Sequence, residues 1–502
     1  MVGAFADIDF VRPLSTIGLL MSQLDIDSFS LDRAAREPLA NQLAAAIEAR
    51  IATGQLRSGD RLPTTRELAS SLGVNRGTIQ AAYRRLGERR LVEGRVGSGT
   101  VVRAVPAEGS DFDVSSLLSR RVRGTGEESA VTPAEPVIAD FSRLTPDERF
   151  FPLEEFTRTL ASVWSGRRDL WQYAPPLGLP ELRVEIARRL CEHGVERSPE
   201  EILVTSGAQQ GLDLLLRTFT DPGDAVAMES PTYSGALALA RFSGVEAVPL
   251  PMSDQGPDPA PLLGRRVKLV YLMPERQNPT GVTTPEARRD EILEAALASG
   301  ALVVEDGYEE PESGHRPLAA RRPERTIWLG TLSKDLVPGF RIGWLAGRAS
   351  IIERLALVKR TADFQTPLPL QAAVADFLRA GADRKARQKR AFEVEMRRLS
   401  AARALRAHLP QVSWWGGEIG NPLFWLHLPP GVSGRRVSEA AAARGVGVAA
   451  GADFDPKGED RPNLRLSVSR VDKRDVDRGI ALLAEAVNVV IASAGARGMP
   501  VV

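Results

Sequence analysis

Cysteine is all but missing from these 502 residues, with Cys191 standing alone. No disulfide can form within one chain, which fits a reducing compartment. Cys191 falls in a helical run over 181–192 and reads as a packing residue. Histidine is scarce as well: the chain has four, none at a ligand-like spacing, so no metal centre is expected. No stretch approaches the ~18 apolar residues that mark a membrane span. The apolar patch at 17–21 is short and lacks both a basic lead and a small-residue cleavage site, so it does not read as a secretion signal. Met21 is an alternative start. The expected location is cytoplasmic, away from any membrane.

A net bias of charge is lacking too, since the formal total is +1. The distribution is uneven, however. Between Arg36 and Arg103 stand twelve Arg, no Lys and six acidic residues, a net of +6 that leaves −5 for the remainder. A basic module on a mildly acidic body suggests a polyanionic partner, with a solvated basic surface as the plain alternative. Composition is otherwise that of a globular protein, 43% apolar and 26% charged. The length exceeds one ordinary core, so two or three domains are expected. Three regions separate: a compact Arg-rich module over 30–103, a Pro- and Gly-bearing linker over 104–137, and a long module over 138–495.

In the first module Leu39, Leu43, Ile47 and Ile51 recur every four residues, one apolar stripe on a helix. Thr64 and Glu67 after Pro63 suit a second helix start, which ends at Gly73. Asn75 can cap a third helix facing inward through Ile79, Ala82, Tyr83 and Leu86. Residues 91–94 and 99–102 read as two short strands around a turn holding Arg95, Gly97 and Ser98. This is a winged helix-turn-helix pattern, mostly α with a small β wing. The start of its third helix can offer Arg76 and Thr78 to a major groove. Arg66, Arg84 or Arg85 can reach phosphates, and the wing's Gly97 and Ser98 a groove.

In the long module, strand-like runs at 201–205, 225–228, 267–272, 301–305 and 326–330 alternate with amphipathic helices. That predicts an α/β domain with a mostly parallel sheet. Lys334 follows the last of these runs among hydroxyls, a setting that suits an amine forming a Schiff base. Asp306 ends another run, where α/β sites form, and pyridoxal 5′-phosphate needs a carboxylate on its ring nitrogen. Tyr308 and Asn278 can reach the ring hydroxyl, and Tyr233 can stack on the ring. Ser206, Gly207, Ala208 and Gln209 open a helix, where backbone N–H groups can meet a phosphate. Thr331, Ser333 and Arg341 would complete that cradle. Arg465 lies inside an apolar strand and needs an anion, either an effector carboxylate or an internal salt bridge. Alone, each piece reads as a turn, a cap or a core aromatic.

Together the motifs carry a resemblance. Leu62–Ala69, Gly73–Ile79 and Gly97–Thr100 resemble the winged helix of the GntR family, in which the matches of Arg66, Arg76 and Thr78 touch DNA. Residues 138–495 resemble the fold-type I aminotransferases, including the Tyr173, Gly178, Leu182, Arg183 segment, whose tyrosine reaches the phosphate held by the other subunit. The whole chain resembles the MocR subfamily of GntR regulators. That resemblance implies a head-to-tail homodimer, an operator in double-stranded DNA, pyridoxal phosphate on Lys334, and an amino compound or the cofactor itself as effector. Two departures stand out: Glu275-Arg276 precedes Gln277 where a His is common, and Asp306 and Tyr308 are two apart rather than three. A working aminotransferase with a DNA-binding domain is the alternative function, and a constitutive dimeric repressor the third.

Overall fold

The computed structural model describes residues 31–103, 117–123, 136–308 and 314–495, apart from 36, 53, 54, 57, 96–98 and 335. Gly97 and Ser98 lie outside the described residues. The chain divides into two compact units, Met1–Ser116 and Leu117–Val502. The division falls inside the 104–137 segment.

In the first unit three helices precede a hairpin: α1 (Leu39–Ala52), α2 (Thr65–Ser71), α3 (Arg76–Glu88), then β1 (Val92–Arg95) and β2 (Gly99–Val102). Helix α2 begins where it does because Thr64 accepts from the Glu67 N–H while the Glu67 carboxylate accepts from the Thr64 N–H. Both orphan donors are satisfied reciprocally. The chain leaves α2 through Gly73 at φ 59°, a left-handed turn that glycine adopts without strain. Asn75 Oδ1 then accepts from Gly77 N at 2.8 Å and starts α3. Of the α1 stripe, Leu43 and Ile47 are wholly buried and Leu39 and Ile51 half-buried; Leu68, Ile79 and Leu86 are wholly buried with them. Tyr83 Oη donates to Pro63 O at 2.7 Å, fixing α3 against the entry to α2. The strands pair antiparallel, Val92 opposite Val102.

The second unit begins with a one-turn helix, α4 (Arg120–Arg123), and is built on an eight-stranded sheet. In chain order after β3 (Ala139–Asp140) the strands of that sheet are β4 (Ile202–Thr205), β5 (Ala225–Ser230), β6 (Glu246–Ser253), β7 (Gly256–Pro257), β8 (Leu269–Leu272), β9 (Leu302–Gly307), β10 (Thr326–Thr331) and β11 (Gly343–Ala346). Their spatial order is β4-β11-β10-β9-β8-β5-β6-β7. The run from β10 to β6 is parallel, while β11 opposes both β10 and β4. Strands such as Leu269–Leu272 are buried throughout because helices cover both faces. Those helices are α5 (Leu153–Gly166), α6 (Pro180–Glu192), α7 (Ala208–Phe219), α8 (Ser234–Ser243), α9 (Glu286–Ser299), α10 (Leu318–Arg321), α11 (Ala349–Ala362) and α12 (Leu368–Arg379). On α6 the burial goes to Leu182, Ile186 and Leu190; Cys191 is exposed, so it does not pack as its sequence setting suggested.

A smaller antiparallel sheet follows, ordered β12 (Ser413–Gly416), β13 (Leu423–His427), β16 (Asn463–Ser467), β15 (Ala449–Ala450), with β14 (Val446–Gly447) pairing back to β3. It packs with α13 (Asp383–His408), α14 (Gly434–Ala442) and α15 (Lys473–Gly495) around Phe424, Leu466, Ile480 and Leu483. Among the described residues no helix is long and apolar enough to cross a membrane.

Candidate functional site

The C-terminal ends of the parallel strands gather the polar residues, as open α/β sheets do. Asp306, on β9, is 6% exposed. One carboxylate oxygen accepts from Tyr271 Oη of the adjacent β8 at 2.5 Å; the other is buried with no hydrogen-bond partner. Burial pushes the carboxyl up to about 6, against the pull of the Tyr271 hydroxyl and the Lys334 ammonium. An orphaned oxygen of this kind calls for a hydrogen-bond donor, and a cationic one would also offset the buried charge. Lys334 lies three residues past β10, half-buried, with Nζ donating to Leu144 O.

Arg465 on β16 is buried, and its Nη1 donates to Asn278 Oδ1 at 2.9 Å and its Nη2 to Ser142 O. Its Nε is buried without a partner, and its Cζ stands 4.8 Å from the Phe454 ring. Burial brings the guanidinium down to about 10. Tyr308 Oη donates to Arg276 O. Tyr233 lies within electrostatic reach of both Arg465 and Tyr271, and Tyr308 of Arg465, so these groups share one neighbourhood.

The turn from β4 to α7 forms a second cluster. Gly207 takes φ 90°, and a Cβ there would stand 2.7 Å from Arg341 Nη2. Arg341 Nη2 donates to Ser206 O at 3.2 Å. Gly343 packs so tightly under the turn that a Cβ would lie 2.8 Å from Ala208 N. Gln209 Nε2 donates to Gly235 O at 3.0 Å, while Tyr233 caps α8 with its ring against Gly235. Thr331 is buried at the end of β10, and its Oγ1 accepts from Ser333 N at 3.1 Å. The turn thus brings Ser206, Gly207, Ala208 and Arg341 together at the open N-terminus of α7, an arrangement suited to an anion. Tyr173 is 83% exposed, with its ring beside that of Phe364.

In the first unit Arg66, Asn75, Arg76 and Arg84 are exposed and Thr78 half-buried. Arg76 Nε donates to Thr65 Oγ1 at 3.3 Å, which leans it across the start of α2. Arg84 is 3.9 Å from Glu88, whereas Arg85 is taken up by Asn41 of α1 at 2.6 Å.

Sequence reasoning passed over Tyr271, reading 267–272 only as a strand. A lone hydroxyl in a buried aliphatic strand needs a partner, and that was the available signal. It also passed over Gln210, Lys359 and Asp363, which surround Ser206.

Residues 147–483 match the family of aminotransferases class I and II, and residues 39–102 the bacterial regulatory proteins of the gntR family. The transcriptional regulator TauR of Rhodobacter capsulatus is 31% identical over 92% of this chain and 99% of its own length. The probable rhizopine catabolism regulatory protein MocR of Rhizobium meliloti is 32% identical over 70% of this chain and 74% of its own. Among solved structures, the α-aminoadipate aminotransferase LysN of Thermus thermophilus, complexed with N-(5′-phosphopyridoxyl)-L-leucine, matches with TM-score 0.68 and 27% identity, covering 76% of this chain and 99% of that one. The cofactor is therefore pyridoxal 5′-phosphate, and the residues at the strand ends fit it: a buried carboxylate oxygen lacks its donor, and an anion seat lies at the start of α7. A gntR-type DNA-binding unit and a class I and II aminotransferase unit in one chain, in a match to TauR over 92% of this chain, make this protein a member of the MocR-type GntR transcriptional regulators.

Proposed function

We propose that this regulator holds pyridoxal phosphate on Lys334 and reads an amino compound, or the cofactor itself, as the signal that alters its hold on an operator. The orphaned Asp306 oxygen carries the reading: a buried carboxyl pushed up to about 6 lacks one donor, and a pyridinium N–H would supply both that hydrogen bond and a compensating charge. When bound, the group supplies an aldehyde that links reversibly to amines and a ring that accepts electrons.

The roles of the chain's own residues follow. Asp306, held by Tyr271, keeps the ring nitrogen protonated. Tyr308 and Asn278 serve the ring hydroxyl, and Tyr233 covers the ring face. Ser206, Thr331, Ser333 and Arg341 hold the phosphate with the N–H groups of Gly207, Ala208 and Gln209. Tyr173, exposed on its own chain, serves the phosphate of a partner subunit in a head-to-tail homodimer. Arg465 binds an effector carboxylate, for which its unpartnered Nε is free. Arg66, Asn75, Arg76, Thr78 and Arg84 face double-stranded DNA. The 104–137 linker joins the 30–103 and 138–495 domains. An effector changes the operator affinity only through its differential affinity for two conformations.

Borohydride reduction of the cofactor-loaded protein, followed by peptide mapping, tests this. A pyridoxyl group on Lys334 is expected, and its absence there overturns the reading. A second reading, slow or physiological transamination, draws on the joint presence of Lys334, Asp306 and Arg465. Steady-state turnover of about 1 per second or more with an amino donor and a 2-oxo acid would favour it.

A further inference from the structure

Behind the turn that opens α7 lies a polar cluster to which the roles above assign nothing. Lys359 of α11 is wholly buried. Its Nζ stands 2.8 and 2.9 Å from the two Asp363 oxygens and 3.0 Å from Gln210 Oε1. Gln210 Oε1 also accepts from the Ser206 N–H at 2.7 Å, and Gln210 Nε2 donates to Asp363 Oδ2 at 2.5 Å. Ser206 Oγ lies 3.3 Å from that same Asp363 oxygen and 3.2 Å from Thr366 Oγ1. With Arg341 on its carbonyl, Ser206 is gripped at its amide, hydroxyl and carbonyl at once.

A buried ion pair adds little net stability compared with apolar packing, yet removing one partner is costly. Its contribution here is geometric and electrostatic. The Asp363 carboxylate reaches the hydroxyl of a residue that lines an anion seat. Uncompensated, that negative charge would oppose a phosphate dianion, more strongly so inside the protein than in water. Lys359 cancels it and, through Gln210, fixes the Ser206 amide.

We propose that Lys359 and Asp363 are a positioning pair for the cofactor phosphate: they orient Ser206 through Gln210, and the Lys359 charge neutralises the Asp363 carboxylate next to the phosphate. The proposal rests on the phosphate role of Ser206, and the pair touches no reacting atom.

The test compares pyridoxal 5′-phosphate with pyridoxal, which lacks the phosphate, as ligands of the full-length protein, followed by absorbance titration. Lys359→Met should weaken pyridoxal phosphate binding by about ten-fold or more while leaving pyridoxal within about two-fold. Asp363→Asn, which leaves the Lys359 charge unopposed, should hold or tighten pyridoxal phosphate. The double variant K359M/D363N should recover most of the loss, and it keeps the test alive if K359M alone fails to fold. A parallel fall for both ligands, or D363N weakening the phosphate form as K359M does, overturns the positioning role and leaves a purely structural pair. Should the unaltered protein bind pyridoxal as tightly as pyridoxal phosphate, it is the phosphate reading of Ser206 that fails.

Discussion

Asp306 shows how one buried atom constrains function. Its carboxyl is raised from an ordinary 3.8 to about 6, chiefly by burial. The folded protein therefore holds a proton there that the unfolded chain has released, over roughly pH 4–6. Stability from this group is complete below the unfolded value and is lost as pH rises through the folded one. Two further buried carboxyls extend the window: burial pushes Glu305 up to about 7 and Glu229 to about 8. We expect the melting temperature of the cofactor-free protein to fall steadily from pH 5 to pH 8, and a flat profile in scanning calorimetry would contradict the burial of these groups. Asp306→Asn should act in opposite directions on two readouts. Above pH 7 it removes a buried charge and stabilises the cofactor-free protein by about 1–2 kcal/mol. It also removes the charged partner of the ring nitrogen, weakening cofactor binding by about 10- to 100-fold. Fluorescence titration and melting curves read the two separately.

At the scale of elements, the first unit was nearly transparent in the sequence. Thr64 and Asn75 have side chains that compete for local N–H groups, so the starts of α2 and α3 fell where those residues stand. Five of the eight strands of the sheet were placed within a few residues because helices on both faces demand continuous apolar runs, whereas β6, β7 and β11 were not singled out. Their C-terminal ends were set short, since Ser230, Asp306, Gly307 and Thr331 are polar or small yet still paired. The candidate site stood out in the sequence where a residue's chemistry is rare in its setting, as with Asp306, Lys334 and Arg465, all proposed members. It was hidden where partners meet only in three dimensions: Tyr271 faces Asp306 from 35 residues away, and Asp363 faces Ser206 from 157. Cys191 misled because a helix buries one face, and position 191 lies off the stripe of Leu182, Ile186 and Leu190. Two expectations belong to these elements. Thr64→Ala opens the capping box and should cost about 1 kcal/mol, visible as faster hydrogen exchange confined to α2. Arg76→Ala should weaken operator binding by about 1–3 kcal/mol and relax the base preference in a competition assay. An equal loss on random DNA would restrict Arg76 to phosphate contact.

For the molecule as a whole, the question is whether two units in one chain exchange free energy. The net +6 over Arg36–Arg103 gives DNA binding a counterion term, yet that term alone is blind to the second unit. Regulation requires that a ligand of the second unit change operator affinity by some factor other than one. Linkage then forces operator DNA to change that ligand's affinity by the same factor, whatever the route through the protein. Couplings of about 1–3 kcal/mol, or 5- to 150-fold, are usual for such switches. We expect pyridoxal phosphate, or an amine added to the loaded protein, to shift the operator midpoint in a gel or anisotropy titration by a factor in this range. The reverse titration, ligand into protein saturated with operator, should give the same factor at the same salt concentration. Lys334→Ala should remove both shifts together while sparing the operator affinity of the cofactor-free protein, because Lys334 belongs to the second unit and the arginines proposed to contact DNA to the first. A factor of one in both directions would mean that the chain carries an aminotransferase beside a DNA-binding unit with no communication between them.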